Sequence, residues 1–169
     1  LSFMALGLQA CGGGGGGSVN TNSLAGSVIK GPLSGATVFI DSDEDGILDP
    51  GELSAVTDDS GRYEIAGATA DDKITVLAKG AIDVWGDGSP ITDDLILTAP
   101  AGASVVTPLT TIIAEAGVDP ADLAAALGIV VPEGQSLLTW DYSNDATNTE
   151  VVKAEAASRA IVAQAKTLT

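Results

Sequence analysis

The chain contains no histidine, and that absence removes a large share of enzyme chemistry. Without imidazole there is no ordinary general base near neutral pH, no Ser-His or Cys-His dyad and no nitrogen ligand for a transition metal. Cysteine occurs once, at Cys11, so neither an internal disulfide nor a cysteine-rich zinc site can form. Cations are scarce as well: 7 Lys and Arg face 23 Asp and Glu, a formal charge of −16. Nucleic acid needs a basic face and is excluded as a partner. Aromatic residues make up only 4%, which leaves few flat platforms for stacking sugars or bases. What is present is aliphatic: a 45% apolar share in 169 residues, enough for one or two modest domains with a core of Ala, Val, Ile and Leu. The polar chemistry left to such a chain is that of hard oxygen ligands.

Residues 1–11, LSFMALGLQAC, are apolar, uncharged and too short to span a bilayer. They resemble the end of a secretory signal peptide, and Leu8-Gln9-Ala10-Cys11 resembles a bacterial lipobox with Cys11 as the acylated residue. Gln9 is less usual at its position than a small residue, and no basic segment or initiator Met precedes the run. The expectation is a chain that starts inside its signal peptide; an apolar terminus with an incidental thiol is the alternative. Six glycines follow Cys11, and residues 12–23 read as a flexible tether. Acyl chains on Cys11 would anchor the protein to a membrane. By that resemblance, the lack of Asp after the cysteine favours the bacterial outer membrane or cell surface.

From 24 to 100 the punctuation is that of β-structure. GSVIKGPLSGATVFID holds two β-branched runs split by Gly-Pro and Ser-Gly. LSAVTDDSGRYEI reads as a strand, an Asp-Asp-Ser-Gly turn and a strand that alternates Tyr63 and Ile65 with Arg62 and Glu64. Further strands are predicted around Ile74, Val76 and Ala78, and over 95–99. Closely spaced short strands suggest an antiparallel β-sandwich of prealbumin or immunoglobulin type. After Pro100 the period becomes helical. Thr107-Pro108 and Asp119-Pro120 predict two helix starts, with Gly117 and Gly128 as stops. A longer helix is predicted from 148 to 168, its apolar face made by Val151, Val152, Ala156, Ile161 and Val162. Trp140 and Tyr142, in the preceding connection, are expected in the core. The fold class is α+β: a β-sandwich over 24–100 and a helical region over 101–169, in a chain that reads as a fragment of something longer.

Residues 41–52, DSDEDGILDPGE, crowd carboxylates directly after an apolar run. Two such charges about 5 Å apart repel by roughly 3 kcal/mol at an effective dielectric near 20. The stretch is therefore either a splayed, solvated loop or a cation cage. Its spacing fits the calcium-loop pattern D-x-[DN]-x-[DN]-G-x₅-E at every side-chain position: Asp41, Asp43, Asp45, Gly46, Asp49 and Glu52. Calcium takes six to eight oxygens at about 2.3–2.6 Å, and alternate residues of a tight loop can turn theirs inward. Ile47 would add its carbonyl, and Glu52 would close the site with both oxygens. The flanks ATVFI and LSAVT read as strands, not helices. Such a loop has no helix pair to open, so a structural Ca²⁺ is expected in place of a sensor ion.

Gly31-Pro32, Gly35-Ala36, the strand 37–40, the D-x-D-x-D-G loop and the turn from Asp58 to Gly61 with the strand after it together resemble a family. It is the prealbumin-like or Cna B-type modules of bacterial surface proteins, including carboxypeptidase-regulatory-like domains and the B repeats of Ser-Asp-rich adhesins. The resemblance covers residues 24–80 and implies a sandwich used as a stalk or adhesive module, with no catalytic activity. Lys–Asn isopeptide bonds occur in some members; no suitable pair is evident here. The implied function is a calcium-stabilised, lipid-anchored structural or adhesive module at the cell surface, with other surface proteins or further copies of itself as partners. A self-assembling fibre or biofilm-matrix subunit, and a lipoprotein that captures glycans or small ligands, are the alternatives.

Asp83, Asp87, Asp93 and Asp94 surround a second set of Gly-rich turns. They could form another calcium site, or a solvated loop lidded by Trp85. The glycines at 12–17 are not a phosphate loop, lacking the Lys-[ST] that should follow. Ser23, Ser34 and Thr110 have no partner base and read as turn or capping residues.

Overall fold

The computed structural model describes residues 22–165; Cys11, the lipobox and most of the tether lie outside them. The fold is mixed, with several antiparallel sheets and three α-helices. Strand β1 (Ser23–Val28) pairs antiparallel with β5 (Arg62–Ala66), Leu24 opposite Ile65 and Gly26 opposite Tyr63. A second sheet has the order β4-β3-β6-β8, formed by Ser54–Val56, Thr37–Phe39, Ile74–Leu77 and Ile96–Ala99, all antiparallel. The short strands β2 (Leu33–Ser34) and β7 (Ile82–Asp83) make a third pair.

The predicted alternation in β5 holds: Tyr63 and Ile65 are buried while Arg62, Glu64 and Ala66 face out. The turn that feeds it is closed by Gly61 N–H donating to the Asp58 carbonyl at 2.9 Å. Glycine is required there. Its φ is +77°, and a Cβ would stand 2.9 Å from both Leu33 N and Val28 O. Side chains of both larger sheets meet in one core, with Leu24, Val28 and Ile65 from one and Val38, Ile74, Val76 and Leu97 from the other.

The stretch after Pro100 first adds a strand. β9 (Val105–Val106) lies parallel to β1, and its backbone leads directly into α1 (Pro108–Ala116). Thr107 caps α1 through its hydroxyl, Thr110 completes the capping box, and Gly117 ends the helix at φ +63°. Helix α2 (Pro120–Leu127) repeats the device with Asp119 and Gly128. Ile29 and Val105 join the helices in a second core that holds Leu109, Ile113, Trp140, Tyr142 and Ala154. Trp140 and Tyr142 are buried and packed edge to face with ring centroids 5.5 Å apart.

Helix α3 (Thr149–Ala165) buries part of the face its apolar residues suggest, with Val151 and Val162 inside and Ile161 packed against the core, but not all of it. Val151, Ala154, Ser158 and Val162 are buried, whereas Val152 is 52% exposed and Ala156 faces out. The pattern hides because a serine sits in the buried stripe: Ser158 Oγ lies 3.1 Å from the Tyr142 hydroxyl, which satisfies both groups inside the core.

Candidate metal centre

The acidic loop is the tip of the β3–β4 hairpin. Ile40 N–H donates to the Leu53 carbonyl at 2.9 Å and closes its base. Inside that closure the chain is short of room and turns sharply. Glu44 and Gly46 have φ of +61° and +77°; the first is an uncommon conformation for a residue with a Cβ, while the second suits glycine.

Asp41 is the buried member, 7% exposed. Its carboxylate accepts the N–H groups of Asp45 (3.2 Å) and Gly46 (2.9 Å) and the hydroxyl of Thr75 on β6 (3.4 Å). The loop thus wraps its own first residue. Wrapping brings Asp41, Asp43 and Asp45 together, with one carboxylate oxygen of each within 4.8 Å of the others. These three aspartates could hold a metal ion. No Lys or Arg among the described residues pairs with any of them. The nearest cation of the pocket, Lys73, is taken by Glu44 (3.6 Å) and by Glu115 of α1 (3.8 Å). The strain reaches Asp43, whose pKa is raised by desolvation first and then by the charges of Asp45, Asp49 and Asp41.

Asp49 and Glu52 do not belong to the three-carboxylate group. Glu52 instead ties the loop's two ends: its oxygens accept the N–H of Ser42 (2.7 Å) and of Asp49 (3.0 Å). Asp45 accepts the N–H of Ile47 at 2.7 Å, and the Ile47 side chain is 60% exposed. The sequence pattern therefore yields a converged half, 41–45, and a second half in which Glu52 serves the backbone. Thr75 and Lys73, both remote in sequence, complete the surroundings and carried no local signal.

The second acidic stretch is organised differently. Asp83 is buried against Lys30 at 3.0 Å and also accepts the Trp85 N–H at 3.0 Å. Asp94 pairs with Lys79 at 2.7 Å, and Asp87 accepts the Ser89 N–H at 2.9 Å, which lowers its pKa. Asp83, Asp87, Asp93 and Asp94 form no metal-holding group among the described residues. Trp85 is half-buried against the helical core.

No protein-family model, curated protein or solved structure matches this chain.

Proposed function

We propose that this protein is a non-enzymatic, lipid-anchored module of a bacterial cell surface, built on a prealbumin-like sandwich and stabilised by Ca²⁺ in the loop 41–52. One observation supports the metal most strongly: Asp41, Asp43 and Asp45 converge within 4.8 Å with no cation among them. An all-oxygen set suits calcium better than a softer metal. Completing the coordination would take Asp49, the Ile47 carbonyl, water and a turned Glu52. The role assigned to the ion is linkage: bound only by the folded state, it adds RT ln(1 + [Ca²⁺]/Kd), about 2.7 kcal/mol at a hundredfold excess. Outside the cell, where calcium is plentiful, this would favour folding after export. The membrane contact would be the acylated Cys11; no helix of the described residues is long and apolar enough to cross a bilayer. Calcium titration of the chelated protein tests the reading. Melting temperature should rise with Ca²⁺ in the parent and stay flat in the double variant Asp43→Asn, Asp45→Asn. A parent melting curve unmoved by calcium would sink it.

A further inference from the structure

β8 is an edge strand, and its alternation decides what that edge offers. Ala78 N–H donates to the Leu95 carbonyl at 2.9 Å, so residues 95, 97 and 99 aim their backbone groups at β6. Thr98 aims the other way. Its N–H and carbonyl are taken by the hydroxyls of Thr111 (3.0 Å) and Thr110 (2.9 Å) from the first turn of α1. By the same alternation Ile96 presents its N–H and carbonyl to the outer edge, beyond the reach of those threonines, and its side chain is 45% exposed.

That edge opens into an apolar hollow of about 320 Å³ lined by Leu95, Ile96, Ile112, Ala116, Ile161 and Val162. Through Ile96, Thr111 and Glu115 it continues into a polar hollow of about 340 Å³ that includes Glu44, Asp45 and Lys73. Through Leu95 and Val162 it continues into a third, of about 480 Å³, where Lys30 and Arg159 accompany Asp83 and Asp87. The three make one trough along the seam between β8, α1 and α3. Its ends differ in degree of charge: Asp41, Glu44, Asp45 and Glu115 face the single Lys73 at one end, while Asp83, Asp87 and Asp93 face Lys30 and Arg159 at the other.

We propose that this trough docks an extended segment of a partner protein. The segment would add backbone hydrogen bonds at Ile96, lay alternate apolar side chains against Ile112 and Ile161, and carry Lys or Arg toward Glu44 and Glu115. A second copy of this chain is the wrong occupant, since each carries a formal charge of −16. Glu44 and Glu115 lie outside the three-aspartate group and share the one Lys73, so the inference does not depend on a metal at those aspartates.

The test is a titration of the ¹⁵N-labelled full chain with the peptide Lys-Lys-Val-Thr-Val-Thr-Val and its Glu-Glu counterpart. Amide shifts are expected at Ile96, Ile112 and Ile161 with the basic peptide, and binding about tenfold weaker with the acidic one. Ile96→Pro removes the outward donor yet spares the ladder to β6; it should bind about fivefold more weakly than Ile96→Ala, the cost of one hydrogen bond. Circular dichroism on both variants checks that they fold. Equal binding of the two peptides, shifts confined to other surfaces, or equal affinity of the folded Pro and Ala variants would each overturn the proposal. Shifts at Ile96 that follow protein concentration without peptide would also overturn it, by making a second copy the occupant.

Discussion

The molecule has two acidic loops, and they resolve the same electrostatic problem in opposite ways. In 83–94 three carboxylates have each found a partner: Lys30 for Asp83, the Ser89 N–H for Asp87, Lys79 for Asp94. In 41–45 three carboxylates face one another, held in place by backbone N–H groups and Thr75. Carboxylates are also denser in the first loop, four in the five residues 41–45 against four in the twelve of 83–94. The denser loop is the one whose three aspartates lack a paired cation, and there a metal could fill the gap.

Removing Lys30 should cause the largest change. Its side chain is 19% exposed and that of Asp83 12%, so Lys30→Met strands a buried charge at a cost of about 3 kcal/mol. Urea unfolding would measure it, and added calcium should not restore the loss. If calcium did restore it, the second loop would be a metal site after all.

Next comes the ion itself. At a hundredfold excess over Kd, calcium should raise the melting temperature by roughly 5–10 °C. Scanning calorimetry with and without EGTA reads this, and Lys30→Met should show the same increment as the parent.

The pH profile separates the loops more finely. Asp43 has a raised pKa in the folded, metal-free protein, so the folded state holds its proton more tightly than the unfolded chain. Its contribution is fully present below the unfolded value near 3.8 and is lost as pH rises through the raised folded value. Asp87 is lowered, and its contribution is present above 3.8 and lost as pH falls through the folded value. In EGTA, the stability difference between parent and Asp43→Asn should therefore fall with rising pH across that window. The corresponding difference for Asp87→Asn should rise. Chemical denaturation at several pH values would settle both slopes, and equal signs would end the contrast.

Lys79→Ala should matter least. The pair with Asp94 is open to solvent, 61% and 82% exposed, and its loss should stay within about 0.5 kcal/mol and shrink further in high salt.

Legibility followed sequence distance. Thr107-Pro108 with Gly117 and Asp119-Pro120 with Gly128 announced two helices correctly, because a cap is settled by groups two to four residues away. The alternation of β5 and the Asp58–Gly61 turn were visible for the same reason. Helix α3 was found and its buried face only in part: Val151 and Val162 are inside as expected, Val152 and Ala156 are not, and Ser158 belongs inside because Tyr142 waits there with a hydroxyl. At the candidate centre, Asp41, Asp43 and Asp45 could be read from spacing. Thr75, 34 residues from Asp41, could not. Nor could Lys30, 53 residues from Asp83, whose pairing changes that aspartate from a candidate ligand into half of an ion pair.

The sequence by itself determined the caps, the turns, the absence of imidazole from the whole chain and of thiol from residues 22–165, and the spacing that lets three aspartates converge. These depend on composition or on contacts within one turn of chain. Tertiary structure alone decided which carboxylates would meet a cation, that Ala154 and Ser158 of α3 would be buried in place of Val152 and Ala156, and that β8 would keep one open edge position at Ile96. Each of those outcomes turns on burial and on distances between groups remote in sequence, and charge interactions change severalfold between water and a protein interior.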